Sequence, residues 1–324
     1  MRLFTKDDFI ELYSKIHQRG IGFILSKLTL NATKRTRSTF NKAGYAHSNW
    51  WIIPEVKERW NQKVSSSPNK TYEEHIVDQY LKGKSNLKLL SLGSGSCSHE
   101  LNFARHSCFS EIKCIDLSDK LLKNAGETAK MENLKNLFFE VSDVNKINFP
   151  VGYYDIALFN SSLHHFQNIH KLIGQHIPQT LKEKGLLIIN EYVGPNRLQW
   201  TKLQLTEINR ILKHEIPTDK KRRLSTGIIK HDVTGPGVIR MLITDPSEAI
   251  ESENILPAIH SNFTTLEEKQ IGGNILMLLF KDISHNFLEG SKENKGLLNH
   301  LFSLEDKFLE HEKSNIVFGI YQNK

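Results

Sequence analysis

Between residues 87 and 190 the chain alternates short apolar runs with amphipathic stretches, and this alternation limits the fold more than any other feature. Apolar runs at 87–92, 112–116, 137–141, 154–159 and 186–190 read as strands, and 100–105, 119–131 and 169–181 read as helices between them. The runs are rich in Leu and Ile with few polar interruptions, as expected when helices cover both faces of a parallel sheet. Gly185 is read as the stop signal of the helix before the fifth strand. Later runs at 264–271 and 316–321 supply a sixth and a seventh strand, the last expected to return antiparallel at the sheet edge. The stretch 274–283 is apolar throughout, and periodicity alone leaves it as strand or buried helix. The expected class is α/β, doubly wound, with a seven-stranded mostly parallel sheet.

Outside this alternation the chain reads as helical. Thr5 followed by Asp8 resembles a capping box, with Phe9, Leu12, Tyr13 and Ile16 at helical spacing behind it. Gly20 and Gly22 break that pattern, and the apolar stretch 23–30 is too short to span a bilayer. Three of the four tryptophans fall between 49 and 60, where Pro54 opens a helix. Ser65-Ser66-Ser67-Pro68-Asn69 is the clearest linker signal, and a short helix over 71–81 follows it. Beyond the fifth strand come a helix at 198–213, the basic run Lys220-Lys221-Arg222-Arg223, a Gly235-Pro236-Gly237 loop, and helices at 250–259 and 297–311. The expected organisation is an N-terminal helical arm or lid (1–70), an α/β core (71–194), a helical insertion (195–262) and a C-terminal part completing the sheet (263–324).

Charge is concentrated in the arm. Residues 1–70 hold 13 Lys and Arg against 5 Asp and Glu, whereas the rest holds 30 against 31. Such a bias suits either a solvated helical face or an anionic partner: nucleic acid, a phospholipid surface or a phosphorylated substrate. The three cysteines, Cys97, Cys108 and Cys114, show no C-x-x-C spacing and read as small buried hydrophobes in a reducing compartment. No stretch reaches the length of a membrane span, and the first residues lack a secretory pattern, so a cytoplasmic location is the expectation. No His/Cys/Asp spacing reads as a metal site.

The chemistry gathers at the carboxyl ends of the expected strands, where open α/β sheets bind ligands. Gly93-Ser94-Gly95 joins the first strand to a helix, so the backbone can approach a ligand closely and the helix N-terminus offers unpaired amides. Asp116 ends the second strand, where a carboxylate can accept both hydroxyls of a ribose. Asp143 follows the third, within reach of an adenine amino group, and Asn160-Ser161 follows the fourth. A dinucleotide fingerprint would require a third glycine where Ser98 stands, which favours an adenosine without phosphates.

These residues resemble the ordered motifs of the class I S-adenosylmethionine-dependent methyltransferases over residues 72–193. The resemblance implies that Gly93, Ser94 and Gly95 line the methionine portion of S-adenosyl-L-methionine, and that Asp116 and Leu117 serve the ribose. It places Ser142, Asp143 and Val144 near the adenine, and Asn160 and Ser161 at the mouth of the substrate site. Two positions depart from the pattern. Ser91 stands where an acidic residue is usual and cannot pair with a positive charge, with Glu100 and His99 as candidates to compensate. Cys97 stands at a third glycine. The segment 190–197 resembles a subgroup with a helical insertion after the fifth strand.

A methyl transferase of this kind needs alignment more than acid–base machinery, although a base helps when the acceptor is a hydroxyl. His164, His165 and Glu191 are the candidates, each with a plainer reading as capping, solvent-facing or salt-bridged side chains. Tyr45, Trp50 and Trp51 in the arm and Arg197 in the insertion are candidates for closing over a substrate, the alternative being that the tryptophans anchor the arm. Three functions fit: methyl transfer to an oxygen or nitrogen of a small-molecule acceptor (metabolite, lipid or sugar), modification of RNA or protein, or a non-catalytic cofactor-binding subunit. The absence of a recognised RNA-binding module sets nucleic acid behind the small molecule.

Overall fold

A computed structural model describes residues 1–19 and 48–324. The chain divides into two compact units. One comprises Lys70–Val193, Ala249–Lys269 and Val317–Lys324, and the other Met1–Asn69, Gly194–Glu248 and Gln270–Ile316.

The first unit is built on a seven-stranded sheet of β1 (Leu87–Leu92), β2 (Phe109–Asp116), β3 (Leu137–Val141), β4 (Tyr154–Asn160), β5 (Leu181–Tyr192), β6 (Phe263–Gly272) and β7 (Ile316–Asn323), in the order β3-β2-β1-β4-β5-β7-β6. β1 pairs in parallel with β2 and β4, β2 with β3, and β4 with β5. Strand order therefore reverses between β1 and β4, which opens a crevice at their carboxyl ends. Register sets the residues there: Asp116 lies level with Val141, and Asn160 with Asn190. The central strands are buried on both faces because helices cover them, with Leu89, Leu92, Ala157, Leu158, Ile188 and Ile189 fully enclosed.

Two expectations are corrected. β5 begins at Leu181, inside the stretch expected to be helical, and Gly185 lies within the strand at an irregular register against β4. A Cβ on Gly185 would lie 2.9 Å from the Lys182 carbonyl and 3.2 Å from that of Asp155, so the glycine marks a bulge with close backbone approach. β7 lies between β5 and β6 instead of at the edge. Its run Ile316–Tyr321 is buried throughout, whereas β6 is polar and largely exposed, so burial puts the apolar strand inside and leaves the polar one at the rim. Between β4 and β5, the helical stretch 169–180 contains a π turn, Leu172–His176, just ahead of Pro178. Proline lacks an N–H and crowds the carbonyl four residues back, and the wider turn accommodates it.

The second unit is helical: Lys6–Arg19, Pro54–Ser65, Lys202–His214, Val238–Thr244, Leu276–Phe280 and Lys292–Leu309. Helix Ile255–Asn262 groups with the sheet, and residues 270–316 group with the helices. The ambiguous stretch 274–283 contains the short helix Leu276–Phe280. The expected box at Thr5 is half formed: Asp8 accepts the Thr5 amide at 2.8 Å, while the Thr5 hydroxyl donates to the Gly235 carbonyl.

Glu305 fixes the interior of this unit. It is fully buried, one oxygen accepts the amides of Ile275 and Leu276 at 3.0 and 3.1 Å, and the other meets Arg59 at 3.5 Å. Removing one partner of a buried, hydrogen-bonded charge leaves the others without compensation. Glu305→Ala should therefore cost about 3 kcal/mol in urea unfolding, against under about 1 kcal/mol for Arg210→Ala, whose pair with Glu207 is solvent-screened.

Candidate active site

Local sterics shape the loop after β1. The Gly93 and Ser94 amides donate to the Ile115 carbonyl at 2.8 and 3.2 Å, which swings the chain across the end of β2. Gly93 has φ +72°, and a Cβ there would lie 2.7 Å from Ser162 Cβ, so only glycine fits. Gly95 is different: φ is +55°, but a Cβ would meet nothing within 4 Å. Cys97 keeps the left-handed backbone of the third-glycine position, at φ +55°, with its side chain buried.

Asp116 binds this loop to the next. One oxygen accepts the Gly95 amide at 2.9 Å and the other the Ser118 amide at 2.7 Å. A carboxylate offers about four lone-pair sites, so each oxygen keeps capacity for a further donor. Leu117 is half-buried beside it. Ser142 donates its amide to the Asp116 carbonyl, Asp143 is half-buried with Lys146 at 3.9 Å, and Val144 is buried at the start of a 3-10 turn.

Behind the loop lies a polar cluster that sequence reasoning reached only in part. The Ser91 hydroxyl donates to Glu100 Oε1, so the acidic group missing at position 91 is present in the first turn of the following helix. Glu100 is fully buried, its Oε2 has no hydrogen-bond partner among the described residues, and burial pushes its carboxyl above the usual range. His99 Nδ1 lies 2.7 Å from buried Glu73, which also accepts from Asn102. Tyr72 donates to Asn160 Oδ1 at 3.4 Å, and Asn190 donates to the same oxygen at 2.8 Å. Glu73, Tyr72 and Asn190 were not anticipated. Glu73 reads in sequence as an ordinary first-turn acid of the helix capped by Thr71, and nothing local marks its burial.

The candidate bases converge. Glu191 is fully buried at the end of β5: Oε2 accepts the amides of Ser162 and Leu163 at 2.8 and 2.7 Å, and Oε1 accepts the Tyr192 amide and pairs with His164 Nδ1. A carboxylate held by these amides favours a proton on Nδ1, leaving Nε2 as the basic nitrogen of His164. His165 is half-buried, its ring centroid 4.2 Å from that of His164. Ser161 is exposed in a left-handed conformation, φ +49°, and the Ser162 hydroxyl donates to the Leu92 carbonyl at 2.7 Å.

The helical unit holds the other candidates. Trp50 and Trp51 form a ring cluster with Trp60, with centroids 4.5–6.0 Å apart, and Trp50 is buried. Arg197 donates to the Pro246 and Glu248 carbonyls at 2.7 and 3.1 Å. Tyr45 lies outside the described residues.

Two measurements follow. Gly93→Ala should destabilise the protein by about 2 kcal/mol or more through overpacking, and Gly95→Ala by about 1 kcal/mol through backbone strain alone, as read by urea titration. The second concerns pH. Burial alone would lower His99, but the Glu73 hydrogen bond and charge lift it above its ordinary 6.5, while His99 overcomes burial to hold Glu73 below 4.5. The raised imidazole contributes stability fully below pH 6.5 and loses it as pH rises through its folded value. The lowered carboxylate contributes above pH 4.5 and loses it as pH falls. The stability gap between wild type and His99→Gln should therefore narrow as pH rises beyond neutrality, and a pH-independent gap would remove the linkage.

Comparison with known proteins places this arrangement. Residues 83–296 match the family profile described as a methyltransferase domain. Among solved structures, the [4+2]-cyclase SpnF is similar with 14% identity and TM-score 0.47, covering 100% of this chain and 97% of that one. An S-adenosylmethionine-dependent methyltransferase from Mesorhizobium loti is 15% identical, TM-score 0.46, over 78% of this chain and 97% of its own. One described as a putative S-adenosylmethionine-dependent methyltransferase from Listeria monocytogenes is 14% identical, TM-score 0.45, over 78% and 96%. No curated protein matches the sequence. The family match spans about two thirds of the chain, and the chain belongs to the methyltransferase domain family.

Proposed function

We propose that the protein transfers the methyl group of S-adenosyl-L-methionine to an oxygen or nitrogen of a small-molecule acceptor, with His164 as the base and Glu191 as its positioning residue. The observation that carries this reading is the His164–Glu191 pair at the carboxyl ends of β4 and β5. The cofactor, when bound, supplies a methyl carbon already activated by a positively charged sulfur. Two features of the loop fit it. Space lies open over Gly95 beside Asp116, and an oxygen of Glu100 without a hydrogen-bond partner among the described residues places an acidic group close behind a loop that would face a cation.

On this reading Gly93, Ser94 and Gly95 hold the methionine portion, with Asp116 and Leu117 at the ribose. Ser142, Asp143 and Val144 would meet the adenine, and Asn160 and Ser161 would border the acceptor. His164 Nε2 would take the acceptor's proton, while Glu191, fixed by backbone amides, holds the ring in the required tautomer. The basic run gives little support to a nucleic-acid substrate: Lys220 donates to the Asn286 carbonyl, Arg222 to that of Gly227, and buried Arg223 pairs with Asp282.

Calorimetry with S-adenosylmethionine and S-adenosylhomocysteine should show binding that Asp116→Ala weakens about tenfold or more. Incubation with labelled cofactor and a panel of hydroxyl and amine acceptors should give turnover that His164→Ala lowers about 100-fold with cofactor affinity retained. Binding of neither cofactor form would overturn the whole reading. Unchanged turnover in His164→Ala would overturn the base assignment alone.

A further inference from the structure

The helix Lys6–Arg19 is amphipathic in the reverse sense. Its charged face is turned to the protein. Asp7 accepts the amides of Thr234 and Gly235 at 2.8 and 2.9 Å. Asp8 accepts the Gly237 amide at 2.9 Å and Arg240 Nε at 2.7 Å, and Glu11 pairs with Lys281 at 2.7 Å. The apolar face, at the i, i+3, i+4 spacing, is turned to solvent: Phe9 is 67% exposed, Leu12 44% and Tyr13 54%. The residues ahead extend it, with Met1, Leu3 and Phe4 more than half exposed. Helix Val238–Thr244, whose first amides donate to the Arg2 and Leu3 carbonyls, exposes Leu242 and Ile243 as well.

A surface helix ordinarily buries its apolar stripe, because that burial is what holds it in place. Here acidic side chains anchor the helix and leave the stripe available. The sequence that continues from it indicates the occupant. From Leu12 to Pro54 the chain contains no Asp or Glu, while Arg19, Lys27, Lys34, Arg35, Arg37 and Lys42 are all cationic and Lys15 pairs with Glu11. Exposed aromatic and aliphatic residues followed in the sequence by a cation-rich, acid-free stretch match a bilayer interface carrying negative headgroups.

We propose that the Met1–Tyr13 segment is a docking surface for anionic lipid membranes, on which the protein rests without spanning them. No helix among the described residues is long and apolar enough to cross a membrane. The proposal is independent of which molecule accepts the methyl group.

Flotation of the full chain with phosphatidylcholine vesicles, with and without phosphatidylglycerol, tests it. The protein should float with the mixed vesicles at low salt, stay behind with phosphatidylcholine alone, and dissociate as salt rises. The triple variant Phe9→Ser, Leu12→Ser, Tyr13→Ser changes only exposed positions and should keep the wild-type melting temperature while losing about tenfold or more of its vesicle binding. No flotation with mixed vesicles, equal flotation of the triple variant, or a dimer in sedimentation velocity that the variant dissociates would each overturn the proposal.

Discussion

The carboxyl ends of β4 and β5 depend on one buried carboxylate. Glu191 sits at the end of β5 with no exposure to water, where an unpaired carboxylate would cost several kcal/mol. The peptide amides of Ser162, Leu163 and Tyr192 and the imidazole of His164 surround it. The turn after β4 therefore takes its shape from β5, and the two strands end as one piece of structure. Solvation physics, more than local propensity, makes Ser161 adopt a left-handed backbone and His164 point where it does.

The parallel core was legible because burial on both faces writes itself as runs of Leu and Ile: β1 is found as read, and β2 and β4 differ only at their ends. The glycine loop and Asp116 were legible for a related reason, since sharp turns and strand ends permit few residue types. Three things were hidden. Gly185 carries the same letter whether it ends a helix or marks a bulge, and only the carbonyls of Lys182 and Asp155 decide it. Glu73 and Glu100 look like helix-start acids, and their burial depends on partners distant in the sequence or on how the loop folds back. The pattern Phe9, Leu12, Tyr13 announces a stripe, but periodicity cannot say that Asp7, Asp8 and Glu11 face the protein in its place.

Within the apolar core of the helical unit, polar anchors hold its shortest helix. Glu305 caps the amides of one short helix, and Lys230 donates to the Leu278, Leu279 and Lys281 carbonyls at that helix's other end. Buried without a carboxylate bonded to it, Lys230 is brought down to about 7. A five-residue helix is too short to persist through its own hydrogen bonds, and charged side chains at both ends supply what length cannot.

The contact between Gly93 and Ser162 has a consequence for how the active site can vary. The β1 loop and the β4 turn interlock through that missing Cβ, the Ser162 hydroxyl ties the turn to Leu92, and the Ser162 amide ties it to Glu191. The glycine loop proposed to hold the cofactor and the mounting of His164 are thus mechanically one part, and a shift of either displaces the other. On the proposed reading, a change here that alters acceptor choice disturbs the cofactor as well. Diversification of substrates in a lineage built this way falls to side chains outside the interlocked pair.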